Sequence, residues 1–144
     1  MISRKAEYAI TTLAELATAT DGRWLASGAL ARSRGIPPKL VAQIVAALAR
    51  QGWVATRRGA GGGVRLAVDP GILTLRQVIE AIDGPSHITR CLVQDGQCSQ
   101  RETCQLRSIW AEAQAGMLTV LERVTIGGLA RAGEPAQAIG TGTS

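Results

Sequence analysis

All three cysteines of the chain fall within fourteen residues, as Cys91-x6-Cys98-x5-Cys104. Thiolates are soft ligands for iron–sulfur clusters, zinc and copper(I). A structural zinc site is usually built on a tight Cys-x2-Cys knuckle. Intervals of six and five residues are roomier and suit ligands spread around a larger inorganic core. Three thiolates would leave one corner of a 4Fe–4S cluster to another group, where a small molecule could attack. A 2Fe–2S cluster is the other possible cofactor. Arg57, Arg58, Arg90, Arg101 and Arg107 could favour the thiolate form or offset cluster charge. Without a metal, the same three residues could form a disulfide with one thiol left over. His87, four residues before Cys91, is one candidate fourth ligand. Glu7 is the other, provided that a partner subunit brings it to the cysteine segment.

A second constellation lies upstream. Thr56-Arg57-Arg58-Gly59-Ala60-Gly61-Gly62-Gly63-Val64-Arg65 places three arginines around a tip of four glycines. A glycine tip can lie close to a phosphate backbone, and arginine suits the negative potential of a narrow minor groove. A nucleotide phosphate loop would need a Gly-Lys-Ser/Thr ending and a helix directly after it, and both are missing. Arg57, Arg58, Gly61, Gly62 and Arg65 are therefore candidate DNA contacts. Pro37-Pro38-Lys39-Leu40 opens a helix just before this segment. Lys39 and Gln43, four apart, share its polar face opposite Leu40, Ile44 and Leu48. Glutamine can pair with adenine, and lysine can reach guanine or a phosphate.

The elements that must position these residues follow from periodicity and punctuation. Ser3 caps a first helix running to about Thr18, with Ala6, Ile10, Leu13, Ala14 and Ala17 on one face. A short helix from about Ser27 to Arg34 ends at Gly35. The third helix carries Leu40, Val41, Ile44, Val45 and Leu48 inward and stops at Gly52. Trp53–Arg58 and Val64–Val68 read as strands joined by the glycine loop. This order predicts a mainly α protein with a small β-hairpin wing, a winged helix-turn-helix. Asp69-Pro70-Gly71 punctuates the chain, and Thr74-x-x-Gln77 is a capping box for a helix bearing Leu75, Val78, Ile79 and Ile82. The cysteine segment, 85–103, reads as irregular. A long helix follows from Cys104 to about Val124. Its stripe of Leu106, Ile109, Trp110, Ala113, Met117, Val120, Leu121 and Val124 is either core or a shared dimer face. Thr125–Ala130 reads as a short turn, and the Gly/Ala/Thr/Ser-rich tail, 131–144, as disordered. The expected division is 1–70 for DNA binding and 71–130 for the cysteine loop and dimerisation helices.

Composition fits that plan. With 46% hydrophobic residues, no Phe and one Tyr, the core must be built from Leu, Ile, Val and Ala, which favours helices. Residues 1–68 carry ten Lys/Arg against three Asp/Glu, whereas residues 69–144 carry six against eight. A basic half joined to a mildly acidic half points to a polyanion at one end. No stretch reaches the roughly 18 apolar residues of a membrane span, and MISRKAEYAI lacks the apolar run of a signal peptide. The cytoplasm, where thiols stay reduced, is the expected compartment. One histidine and no acid–base constellation argue against an enzyme.

The chain resembles the Rrf2 family of bacterial transcription regulators, which includes iron–sulfur, nitric-oxide and iron-responsive members. The resemblance rests on Ala6-Glu7-Tyr8-Ala9-Ile10, Gly35-Ile36-Pro37 and Arg58-Gly59-Ala60-Gly61-Gly62-Gly63. It continues through Leu66-Ala67, Leu75-x-x-Val78-Ile79-x-Ala81-Ile82-Asp83-Gly84, the three cysteines and Trp110, all in the family's order. It implies a homodimer on double-stranded operator DNA, with crossed C-terminal helices and a cluster held by Cys91, Cys98 and Cys104. It also implies that Arg58 enters the minor groove while Gln43 and Lys39 face the major groove. A relative's histidine ligand, three residues after the last cysteine, is replaced here by Arg107. Glu7 occupies the place of an aspartate that ligates from the partner subunit in a nitric-oxide-sensing relative. A bridged 4Fe–4S cluster is thus preferred over 2Fe–2S. The expected function is a DNA-binding repressor controlled by that cluster, the alternative a cluster-free thiol/disulfide switch.

Overall fold

The structure is a computed structural model and describes residues 2–19, 21–88, 92 and 105–132. Helices α1 (Arg4–Ala17), α2 (Ser27–Arg34) and α3 (Pro38–Arg50) precede a hairpin of β1 (Val54–Arg57) and β2 (Gly63–Leu66). Helices α4 (Leu75–Asp83), α5 (Gln105–Arg123) and α6 (Ile126–Ala132) follow. The winged helix-turn-helix order read from the residues is the order observed.

Local chemistry explains the boundaries. The Ser3 hydroxyl caps α1 by accepting from the Ala6 N–H at 3.0 Å. Gly35, at φ +63°, takes the left-handed turn that ends α2. Pro38 sits in the first turn of α3 at no hydrogen-bonding cost. The Thr74–Gln77 capping box is formed in both directions at the start of α4.

Leu13, Leu30, Val41, Ile44, Leu48, Val64, Leu73, Val78 and Ile126 form one buried cluster. Residues from both sides of position 70 therefore share a core. Each such aliphatic side chain contributes on the order of 1.5–3 kcal/mol by leaving water. The hairpin pairs antiparallel, with Ala55 opposite Arg65 and Arg57 opposite Gly63. A third backbone segment joins it: Leu25 donates to and accepts from Val64, at 2.9 and 2.8 Å.

The chain end departs from the sequence expectation. Thr125–Ala130 is not a turn but runs into α6, whose Ile126 is fully buried. The Gly127-Gly128 pair lowers helix propensity and reads as a break. Packing explains the helix instead: a Cβ on Gly127 would lie only 3.1–3.2 Å from the backbone of Pro70 and Gly71, so glycine permits a close approach. The N–H groups of Ile126 and Gly127 donate to the carbonyls of Leu73 and Pro70, both at 2.8 Å. Arg131 and Ala132, assigned to the tail by sequence, close this helix. The remainder of the expected tail, 133–144, lies outside the described residues.

Candidate nucleic-acid interface

Helix α3 buries Val41, Ile44, Val45 and Leu48, which turns Lys39 and Gln43 outward. Both are exposed, as is Arg50 at the end of the helix. The structure thus places the two polar residues singled out by sequence on the uncovered face of the second helix of the helix-turn-helix, the element that enters a major groove in such folds.

The wing presents Arg57, Arg58 and Arg65, all exposed. Strand alternation puts Arg57 and Arg65 on the same side of the hairpin. There they meet Trp24, with each guanidinium carbon 4.5 Å from the indole centroid. Such cation–π contacts are worth about 0.5–1 kcal/mol each near a surface. Arg57 also donates to the Gly61 carbonyl at 2.9 Å, and Arg65 to the Gly22 carbonyl at 3.4 Å. Arg58, by contrast, makes no side-chain hydrogen bond or salt bridge among the described residues.

The tip glycines are structurally required. A Cβ on Gly62 would collide with the carbonyl of Arg57, and one on Gly63 with the carbonyl of Leu25. Gly63 also has φ +141°, where a side chain is strained. Gly61 is exposed, and Gly62 is half-buried beneath the tip. Trp24 escaped the sequence reading, because an isolated aromatic after Asp21-Gly22 has no periodic signal. The usable hint was Arg57 and Arg65 on one strand face, which an aromatic can stack against.

Cys91, Cys98 and Cys104 lie outside the described residues, but the elements flanking them are placed. Helix α4 delivers the chain to Gly84 and His87, and α5 begins at Gln105. A cavity of about 800 Å³ opens where this segment leaves α4; Glu7, Asp83, Ser86, His87 and Met117 are among the residues lining it. The Ser86 Oγ and His87 Nδ1 atoms are buried there without a hydrogen-bond partner among the described residues. The Glu7 carboxylate is exposed, with no side-chain hydrogen bond or salt bridge among those residues. Among the described residues no group of three or more His, Cys, Asp or Glu side chains is placed to hold a metal, and Glu7 and His87 are the titratable donors nearest the end of α4 in this cavity besides Asp83. Arg107 is half-buried on the first turn of α5.

Arg76 fastens α4 to the long helix. It donates to Glu80 at 3.1 Å and to Glu122 of α5 at 2.6 Å. The hydrogen bond to Glu80, with a smaller contribution from Glu122, raises its guanidinium above the ordinary arginine value. Helix α5 itself has no buried residue among those described. Leu106, Ile109, Trp110 and Val120 are exposed, whereas Met117, Leu121 and Val124 of the same apolar stripe are half-buried. No described helix is long and apolar enough to cross a membrane.

A helix-turn-helix with an arginine wing and an uncovered long helix defines a winged-helix transcription regulator. The chain belongs to the Rrf2 family: the model of that family, described as an iron-dependent transcriptional regulator, matches residues 2–132. Rv1287 of Mycobacterium tuberculosis, named as an HTH-type transcriptional regulator, is 33% identical over 129 residues, covering 90% of this chain and 80% of that one. The HTH-type transcriptional regulator IscR of Cronobacter sakazakii is 27% identical over 128 residues, covering 89% and 78%. In fold, the chain is similar to CymR, titled the global cysteine regulator of B. subtilis, with TM-score 0.78, 24% identity and coverage of 93% and 98%. The protein is thus a DNA-binding transcription regulator and not an enzyme.

Proposed function

We propose that the protein is a homodimeric, cytoplasmic repressor whose affinity for double-stranded operator DNA is set by an iron–sulfur cluster. The observation that carries this reading is positional. The segment bearing the cysteines joins α4, which packs on α1 and α3, to α5, whose Leu106, Ile109, Trp110 and Val120 lie exposed. Sensor chemistry would sit at the joint between the DNA-reading half and the dimer helix.

Cys91, Cys98 and Cys104 would hold the cluster, with Glu7 of the partner subunit as fourth ligand. A 4Fe–4S cluster held there would supply an iron–sulfide core that iron limitation, oxidation or nitric oxide can dismantle. The chain's own residues then carry the change. Arg76 couples α4 to α5 through Glu122, and Leu106, Ile109, Trp110 and Val120 join the two protomers. A shift of α4 relative to α5 alters the spacing of the two α3 helices against successive major grooves. Lys39 and Gln43 face bases, Arg58 enters the minor groove, and Arg57, Arg65 and the Gly61-Gly62 tip lie along the backbone. Residues 1–70 serve DNA binding and 71–130 sensing and dimerisation. The test is operator affinity of the cluster-loaded protein against the Cys98→Ala variant, each under reducing and oxidising conditions. A redox-dependent difference that Cys98→Ala abolishes is expected; identical binding in all four states would refute the coupling.

A second reading is a cluster-free switch in which Cys91 pairs with Cys98 or Cys104, since three thiols in one short segment suffice for one disulfide. Intact mass after mild peroxide treatment distinguishes it, because a disulfide removes two hydrogens from an iron-free chain.

A further inference from the structure

Trp24 is held by backbone pairing next to it, since Leu25 both donates to and accepts from Val64 of β2. Its ring takes the guanidinium groups of Arg57 and Arg65, each at 4.5 Å. Both arginines are also anchored to backbone carbonyls, Arg57 to Gly61 and Arg65 to Gly22. One aromatic side chain thus ties strand β1, strand β2 and the turn at Gly22 together at the base of the glycine tip.

We propose that Trp24 is a positioning residue for DNA binding: it fixes Arg57 and Arg65 on the wing and leaves Arg58 as the wing cation that inserts into a groove. The proposal rests on the wing being a DNA-contacting element. A long arginine that is free in solution must be ordered when the complex forms, at a cost to affinity. Stacking on Trp24 orders two of them beforehand. It removes no charge, so the stacked guanidiniums still present N–H groups to phosphates.

This predicts a signature that differs from loss of a contact. Trp24→Ala keeps every cation, so the number of phosphates neutralised, and hence the salt dependence of binding, stays the same. Affinity falls at every salt concentration, by about tenfold if both stacking contacts are lost. Trp24→Phe retains a ring face and restores binding to near the native level. Trp24→Leu fills volume without a ring face and behaves like Trp24→Ala.

The experiment is an anisotropy titration of the full chain, over a series of salt concentrations, with a duplex that the native protein selects from a randomised pool. Thermal melts on each variant confirm folding. Weak binding by the Leu variant, native-like binding by the Phe variant and parallel salt slopes support the proposal. Equal affinities for Phe and Leu, or a salt slope that drops by about one per arginine as for a lost phosphate contact, overturn it. Should the Ala variant fail to fold, the Phe–Leu comparison still decides. Failure of the native protein to bind any duplex would instead overturn the DNA-binding role of the wing, a distinct outcome.

Discussion

Ser3 donates both its backbone N–H and its hydroxyl to the carboxylate of Asp83, at 2.9 and 2.5 Å. The same hydroxyl accepts from the Ala6 N–H, so one side chain caps α1 and ties it to the last residue of α4. This link joins residues eighty positions apart, directly before the chain turns at Gly84 towards the cysteines. Asp83→Ala should destabilise the protein by about 1 kcal/mol, below the usual range for hydrogen bonds to a charged group because the pair is exposed. Ser3→Ala should cost roughly twice as much, since the helix cap goes with it. Denaturant melts of both single variants and the double variant check this. The double variant should lose less than the two singles together, because they share one interaction.

Arg58 and Gln43 should fail in different ways. Arg58→Ala should weaken binding to many duplexes alike and lower the salt slope by about one. Gln43→Ala should leave the slope unchanged and relax sequence preference at one position, by about 1–3 kcal/mol. Titrations of a matched and a single-base-changed duplex across salt concentrations separate the two.

The uncovered apolar residues of α5 should be the dimer contact. Ile109, 53% exposed in the single chain, lies between Leu106 and Trp110 on that face. Ile109→Asp should convert the dimer to a monomer without unfolding it, since the side chain supports no core of its own chain. Light scattering on the eluting protein, with circular dichroism alongside, reads both. A dimer of unchanged mass would place the interface elsewhere.

The reading helix and the wing were legible because each rests on local chemistry. Pro38 starts α3, five apolar positions recur at helical spacing, and the glycine tip separates two short strands. Thr74 and Gln77 likewise announce α4. What escaped sequence reading depends on long-range contact. Gly127-Gly128 reads as a break, yet Gly127 is what lets α6 approach Pro70. Trp24 acquires its role only because Leu25 pairs with a strand some forty residues on. The apolar stripe of α5 signals burial but not by whom, and the described residues leave its Leu106, Ile109, Trp110 and Val120 exposed. The cavity lined by Glu7 and His87 arises from α1 and the end of α4 converging, which no spacing in the chain announces.

The most direct test of cluster control is the iron and acid-labile sulfide content of protein purified without oxygen, with its visible absorption spectrum. A broad band in the blue with about four irons and four sulfides per cluster is expected, and Cys98→Ala should lose both. A colourless, iron-free protein that still bound operator DNA would contradict cluster control and leave the thiol switch as the mechanism.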